Sequence, residues 1–134
     1  MKRILFLLGI VCALVLAGCG GGGDDPFTNN NQFRGSWAGT IVANSQPAEN
    51  IRMTIANNGS ITGSETVDAD TAALTGNVDQ NGRFNIISRL AGTEDVRYTG
   101  DMSFDSQGRI RGTGIGTQGN TQVNITFVMN DQGF

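Results

Sequence analysis

Histidine is absent from the 134-residue sequence, and lysine occurs only at position 2. The absence of histidine excludes Ser-His-Asp and Cys-His catalysis, imidazole ligation of metals and an axial histidine for haem. A lysine nucleophile or Schiff base is excluded from everything that follows Lys2. Any catalysis would depend on carboxylates, Tyr98 or backbone dipoles. We therefore expect a protein that is not an enzyme and that has no catalytic residues and no cofactor.

Cysteine is almost as scarce, since the chain has only Cys12 and Cys19, both near its N-terminus. The remainder has no thiol, so it can form neither a disulfide nor a cysteine-ligated metal site. Two acidic clusters, Asp68-Ala-Asp70 and Glu94-Asp95, lack the spacing of a calcium-binding loop. They are typical of solvated turns, and no pair of carboxylates stands out as an acid–base pair. The sequence predicts no metal site.

The N-terminus combines the positive Lys2-Arg3 pair with an apolar run over residues 4–16 and then Leu16-Ala17-Gly18-Cys19. This pattern resembles a bacterial lipoprotein signal with its lipobox. The resemblance implies a signal peptide over residues 1–18 and lipidation of Cys19, which would attach the protein to a membrane of the cell envelope. Gly20 stands where an inner-membrane retention signal would place aspartate, so the outer membrane is expected in a host with two membranes. The alternatives are an ordinary secretory signal and a transmembrane anchor.

Positive charge is sparse in the rest of the chain. From residue 19 onward there are seven arginines against twelve acidic residues, a net charge of about −5. Without a basic cluster nothing can neutralise phosphates, so we expect no nucleic-acid partner. Residues 19–32 are rich in Gly, Asp and Asn and predict a lipidated flexible tether, with a reach of roughly 20 Å. A single domain is expected over residues 33–134.

Helical periodicity is lacking, whereas alternation with a period of two recurs throughout this domain. It predicts an all-β fold, an eight-stranded antiparallel up-and-down barrel whose closure removes both sheet edges, with a β-sandwich as the alternative. Three segments share one hairpin plan, an apolar strand end followed by a polar turn that closes on Gly59, Gly82 or Gly108. The predicted strands span residues 33–43, 50–57, 60–67, 72–79, 83–90, 95–105, 109–117 and 121–130.

The alternation also assigns the two faces of each strand. An outward face with several arginines argues against a membrane-embedded barrel, because each lipid-facing arginine at mid-bilayer depth would cost about 2–4 kcal/mol. That face comprises Arg34, Arg52, Asn77, Arg89, Arg97, Asp101, Arg111 and Asn124. The inward face comprises Trp37, Ile41, Ile51, Met53, Ile55, Ile61, Val67, Leu74, Val78, Phe84, Ile86, Leu90, Val96, Tyr98, Met102, Phe104, Ile110, Val123, Ile125, Phe127 and Met129. Glycines that share the inward phase either kink the strands or leave room for a ligand.

Gly35-Ser-Trp37 on the first predicted strand resembles the Gly-x-Trp opening of lipocalins and avidins, the calycin group. Ile61-Thr-Gly63 and Leu74-Thr-Gly76 are similar to strand ends of avidins. The resemblance implies a small calycin-like barrel in which Trp37 plugs the closed end. Avidin-type biotin sites need several tryptophans, and this chain has one.

These observations predict a non-catalytic, lipid-anchored binding module that holds a small apolar ligand inside the barrel. The expected ligand-binding residues are Trp37, Met53, Tyr98, Met102 and Phe127, although a solid core would use the same side chains. The alternative is a protein partner recognised by the barrel rim and loops. The Cys19-Gly-Gly-Gly-Gly-Asp-Asp start resembles the tethers of surface lipoproteins that capture host proteins. In that alternative the interior is solid, and the residues that matter are the arginines and the acidic loop residues, such as Asp68, Asp70, Glu94 and Asp95.

Overall fold

The chain folds into a closed barrel of eight antiparallel strands, each hydrogen-bonded to the next along the chain. A computed structural model describes residues 31–44 and 46–133. Closure is made by β1 and β8, which pair from Trp37 opposite Asp131 to Ala43 opposite Ile125. The barrel prediction is confirmed, and the β-sandwich alternative is excluded. The strands are β1 (Gly35–Ala43), β2 (Glu49–Ile55), β3 (Ser60–Val67), β4 (Asp70–Val78), β5 (Arg83–Arg89), β6 (Val96–Phe104), β7 (Ile110–Gln118) and β8 (Thr121–Asp131).

The three repeated hairpins form the same turn, and all three lie at one end of the barrel. In the turn between β4 and β5 the Gly82 amide donates to the Asp79 carbonyl at 3.1 Å, and the Asp79 carboxylate accepts two further amides. Asp105 repeats this arrangement between β6 and β7. The closing glycine has a positive φ in each case, for example 92° at Gly82, which only glycine adopts readily.

The segment before β1 seals this same end. Asn31 is 3 % exposed, its backbone amide donates to the Asn57 carbonyl at 2.7 Å, and its side-chain amide donates to the Val78 carbonyl at 2.9 Å. Its side-chain oxygen accepts the Phe33 amide at 2.9 Å. Asn31 and Gln32, which the sequence analysis places in the tether, therefore belong to the barrel. The remainder of the predicted tether, the signal segment and Cys19 lie outside the described residues.

Three aromatic rings complete the closed end. The Phe104 ring stacks on Phe33 with centroids 5.1 Å apart and lies 5.9 Å from the Trp37 ring. The Trp37 indole donates to the Phe33 carbonyl at 2.8 Å. Phe104 stays 40 % exposed. It shares the predicted inward phase, opposite the buried Ile110, but at the last residue of β6 its ring covers the barrel end and is not enclosed by the interior.

The interior is packed with the predicted apolar residues, and the glycines leave little room among them. A Cβ at Gly112 would lie 2.1 Å from the Phe127 ring, and one at Gly116 would lie 3.1 Å from the Tyr98 ring. At Gly100 it would lie 2.1 Å from a backbone oxygen of β7. These glycines therefore allow rings and strands to approach closely. Their role is to shape and pack the barrel, and they do not leave a hollow interior for a ligand.

The two faces follow the predicted alternation. All eight residues assigned to the polar outward face are exposed. Four residues of the inward face are only half-buried, because they lie at the other end of the barrel, which the aromatic rings do not cover. These four are Val67, Leu90, Val96 and Val123.

Candidate functional site: the open end of the barrel

The open end, opposite the aromatic rings, contains two adjoining recesses with volumes of about 320 and 220 Å³. Both are lined by Glu49, Glu65 and Tyr98, and we call them together the mouth pocket. The larger recess has an apolar wall made by Ile41, Ala43 and Pro47. The smaller one has a wall made by Val67, Leu90 and Val96. The larger volume lies near the lower end of the roughly 300–1,000 Å³ usual for ligand pockets.

Glu65 is the least expected residue of this pocket. The alternation of β3 directs it inward in the same phase as Ile61, between Ile51 of β2 and Ala72 of β4. It is only 3 % exposed. Its Oε1 accepts the Tyr98 hydroxyl at 2.8 Å, whereas its Oε2 is buried and has no hydrogen-bond partner among the described residues. Buried polar atoms are generally hydrogen-bonded, so the unpaired carboxylate oxygen makes Glu65 a candidate functional residue.

Tyr98 on β6 holds Glu65 from across the barrel. Burial raises the pKa of the Tyr98 hydroxyl, and the negative charge of Glu65 together with their hydrogen bond raises it further. A hydrogen bond with Ser88 acts in the opposite direction. The phenol therefore stays protonated at physiological pH and serves as a permanent hydrogen-bond donor.

Glu49 adds a second carboxyl group to the pocket. It is the first residue of β2, in the same inward phase as Ile51. Burial raises the pKa of Glu49 to about 7, and the charge of Glu65, a hydrogen bond to Glu65 and the charge of Asp68 act in the same direction. Near neutral pH this carboxyl can donate or accept a proton, while Glu65 offers a hydrogen-bonded acceptor.

The rim of the mouth pocket is acidic. Asp68 lines the larger recess and Glu94 the smaller one. Within the described residues no arginine lines either recess, and Arg89 at the end of β5 pairs outside with Asp95 at 3.1 Å. The pocket therefore favours a positively charged or hydrogen-bond-donating guest over an anion.

The structure separates the five residues predicted to bind a ligand. Tyr98 alone lines the mouth pocket, whereas Met53, Met102 and Phe127 are 2–3 % exposed within the apolar core. Trp37 belongs to the closed end, where its indole donates to the Phe33 carbonyl and its ring packs against Phe104. Trp37 and Met53 also border a depression of about 220 Å³ on the outer wall, beside Arg52.

Glu49, Glu65 and Ser88 were missed by the sequence analysis. Each one shares the inward phase of its strand, and Ser88 is 5 % exposed. A charged or polar residue in an otherwise apolar phase was the signal that could have found them. Asp68 and Glu94 are predicted to lie in loops, but their common end of the barrel follows only from the topology.

Comparison of the chain with protein-family models, curated proteins and solved structures found no match. In the described part of the chain, no three acidic, histidine or cysteine side chains are grouped so as to hold a metal ion. No helix long and apolar enough to cross a membrane occurs within residues 31–44 and 46–133.

Proposed function

We propose that this protein is a non-catalytic binding module of the cell envelope that holds a small molecule in the mouth pocket. The observation that carries the proposal is the contrast between the two barrel ends. One end is sealed by Phe33, Trp37 and Phe104, whereas the other opens onto a pocket with the buried Glu65 at its base. Apolar walls beside polar anchoring groups are the usual composition of a small-molecule site.

Binding is a better account of the pocket than catalysis. Glu49 and Glu65 have the residue types of an acid–base pair, and the pKa of Glu49 suits proton transfer near neutral pH. The described lining residues, however, include no arginine, lysine or histidine to stabilise a developing negative charge. Tyr98 stays protonated and donates to Glu65, so the group that could serve as a nucleophile is already engaged.

A lipid anchor at Cys19 is part of the proposal and is supported by the lipobox-like residues 16–19. We propose the outer membrane as the location in a host with two membranes, because Gly20 follows the cysteine. The chain enters the barrel at its closed end, beside Asn31.

Native mass spectrometry of the full chain, compared with the denatured chain, tests the binding proposal. We expect a small molecule that co-purifies with the folded protein and is lost on denaturation. Ala43→Leu fills the larger recess and should abolish this extra mass, whereas Ala73→Leu on the exposed outer face of β4 should retain it. Retention of the extra mass in the Ala43→Leu variant would show that the ligand binds elsewhere.

A further inference from the structure

The carboxylate of Glu65 lacks some of the hydrogen bonds that a buried charged group needs. A carboxylate offers about four acceptor positions. The Tyr98 hydroxyl occupies one of them on Oε1, at 2.8 Å. Oε2 has no partner of its own among the described residues, although Glu65 is 97 % buried. Removing a carboxylate from water is costly unless its acceptors are paired, so the pocket gains from a guest that donates to Oε2.

The charged groups around Glu65 determine which kind of donor is preferred. Glu49 approaches from β2, Asp68 from the turn between β3 and β4, and Glu94 from the loop between β5 and β6. Tyr98 approaches from β6 as a neutral phenol. The residues contributed by β1, β7 and the connection after β1 are uncharged, for example Ile41, Gln118 and Gln46. The field inside the mouth pocket is therefore negative and attracts a cation.

The geometry favours an organic cation over a metal ion. Calcium takes six to eight oxygen ligands, whereas the described residues contain no group of three acidic side chains arranged for a metal. A protonated amine needs only a few acceptors and has directional N–H groups. The apolar walls beside Glu65, among them Ile41 and Val96, would enclose the hydrocarbon part of such a molecule.

We propose that the mouth pocket binds a compact ammonium compound with an apolar body, whose N–H group donates to Glu65 Oε2. This inference rests on the proposed binding function and specifies its ligand class. The cation pairs with the carboxylate that the barrel buries, and Tyr98 holds that carboxylate in place through Oε1. The acidic rim formed by Asp68 and Glu94 raises the local concentration of cations at the pocket entrance.

Calorimetric titration of the full chain in lipid nanodiscs provides the test. The probes are alkylammonium and arylammonium ions of graded size, each compared with the alcohol of the same skeleton, and empty nanodiscs correct for partition into lipid. For the ammonium ions that fit, we expect binding at least about tenfold tighter than that of the matched alcohols, about 1.4 kcal/mol. Glu65→Gln should remove this preference. Asp101→Asn, an exposed carboxylate on the outer wall of β6, should preserve it.

The outcomes separate the ligand class from the binding function. Equal binding of ammonium ions and alcohols, or an ammonium preference that survives Glu65→Gln, would overturn the cation proposal and leave the binding function standing. Competition of calcium with the ammonium probes would overturn it in favour of a metal. If neither probe class binds and the Ala43→Leu test also fails, the binding function falls as well. Should Glu65→Gln fail to fold, Glu65→Asp keeps the charge but withdraws the carboxylate by one methylene and should weaken the ammonium preference; an unchanged preference in that variant would overturn the proposal.

Discussion

The raised pKa of Glu49 makes the stability of the barrel depend on pH in a predictable direction. Burial and the charge of Glu65 raise the pKa of Glu49 from 4.5 to about 7. Between these values the folded protein keeps a proton that the unfolded chain has lost. Because the unfolded state then binds fewer protons, the free energy of unfolding falls as the pH rises. The stabilisation is fully present below pH 4.5 and is lost as the pH rises through about 7.

The size of this effect follows from the same pKa difference. At about 1.4 kcal/mol for each pKa unit, the full difference corresponds to about 3 kcal/mol. Glu49 is half-buried at the open end, so solvent screens part of this interaction. We therefore expect the free energy of unfolding to fall by about 1–3 kcal/mol between about pH 4.5 and about pH 7.5.

Urea unfolding at a series of pH values measures this slope in the wild type and in Glu49→Gln. Glutamine keeps an uncharged hydrogen-bonding side chain, so the variant should show little pH dependence in this range. Asp101→Asn, which changes an exposed carboxylate on the outer wall, should keep the wild-type slope. A flat wild-type curve, or the same slope in Glu49→Gln, would refute the assignment of the raised pKa to Glu49.

The titration of Asp105 changes the free energy of unfolding in the opposite direction. It sets the lowest pH at which the effect of Glu49 can be measured alone. Burial acts to raise the pKa of Asp105, but hydrogen bonds from the backbone amides of Arg109 and Gln107 and from the side chains of Arg111 and Arg109 outweigh it and lower the pKa. Stability from Asp105 is therefore present above the ordinary pKa of an aspartate and is lost as the pH falls further. The measurements on Glu49 should start above that region.

Two further changes test the packing and hydrogen bonding of the barrel. Tyr98→Phe removes the donor to Glu65 Oε1 and leaves a buried carboxylate oxygen unpaired. In urea titrations this change should lower the free energy of unfolding by about 1–3 kcal/mol. A loss below about 0.5 kcal/mol would show that Glu65 is not held by this bond. Gly100→Ala would place a Cβ 2.1 Å from the Thr113 carbonyl oxygen and should lower the free energy of unfolding by about 3 kcal/mol. Gly92→Ala meets open space but has a φ of 83°, and it should lower the free energy of unfolding by about 1 kcal/mol. Equal losses in the two variants would contradict the close approach of β6 and β7.

The strands and turns of the barrel were predictable because each depends on local chemistry. The predicted and observed strands agree to within two residues at their ends, from Gly35 at the start of β1 to Asp131 at the end of β8. Period-two alternation and the turn glycines determine these boundaries. The covering of the closed end was not predictable in this way. Phe33, Phe104 and Asn31 meet there through contacts between distant parts of the chain.

The candidate site was harder to predict for a related reason. Side-chain type alone predicts Trp37, Met53 and Phe127 as ligand contacts, since aromatic rings and thioethers often line apolar cavities. Inside a small barrel the same side chains fill the interior, because glycines let rings and strands approach closely. At the end without an aromatic cover, inward residues such as Tyr98 and Glu65 line the mouth pocket. Position along the barrel axis therefore separates core from site, and a single sequence shows the alternation of a strand but not this axial position.

Glu65 illustrates what a sequence does show about such a site. Apolar side chains in the inward phase of β3, such as Ile61, are explained by burial alone. Burial alone does not explain a glutamate in that phase, because removing its charge from water opposes folding unless other groups compensate. Tyr98 compensates at one oxygen, and burial together with the charge of Glu65 raises the pKa of Glu49 to about 7, so that fewer negative charges face each other below neutral pH. Stability alone would be better served by an apolar residue at position 65, so the unpaired Oε2 is the strongest structural reason to look for a ligand at the open end.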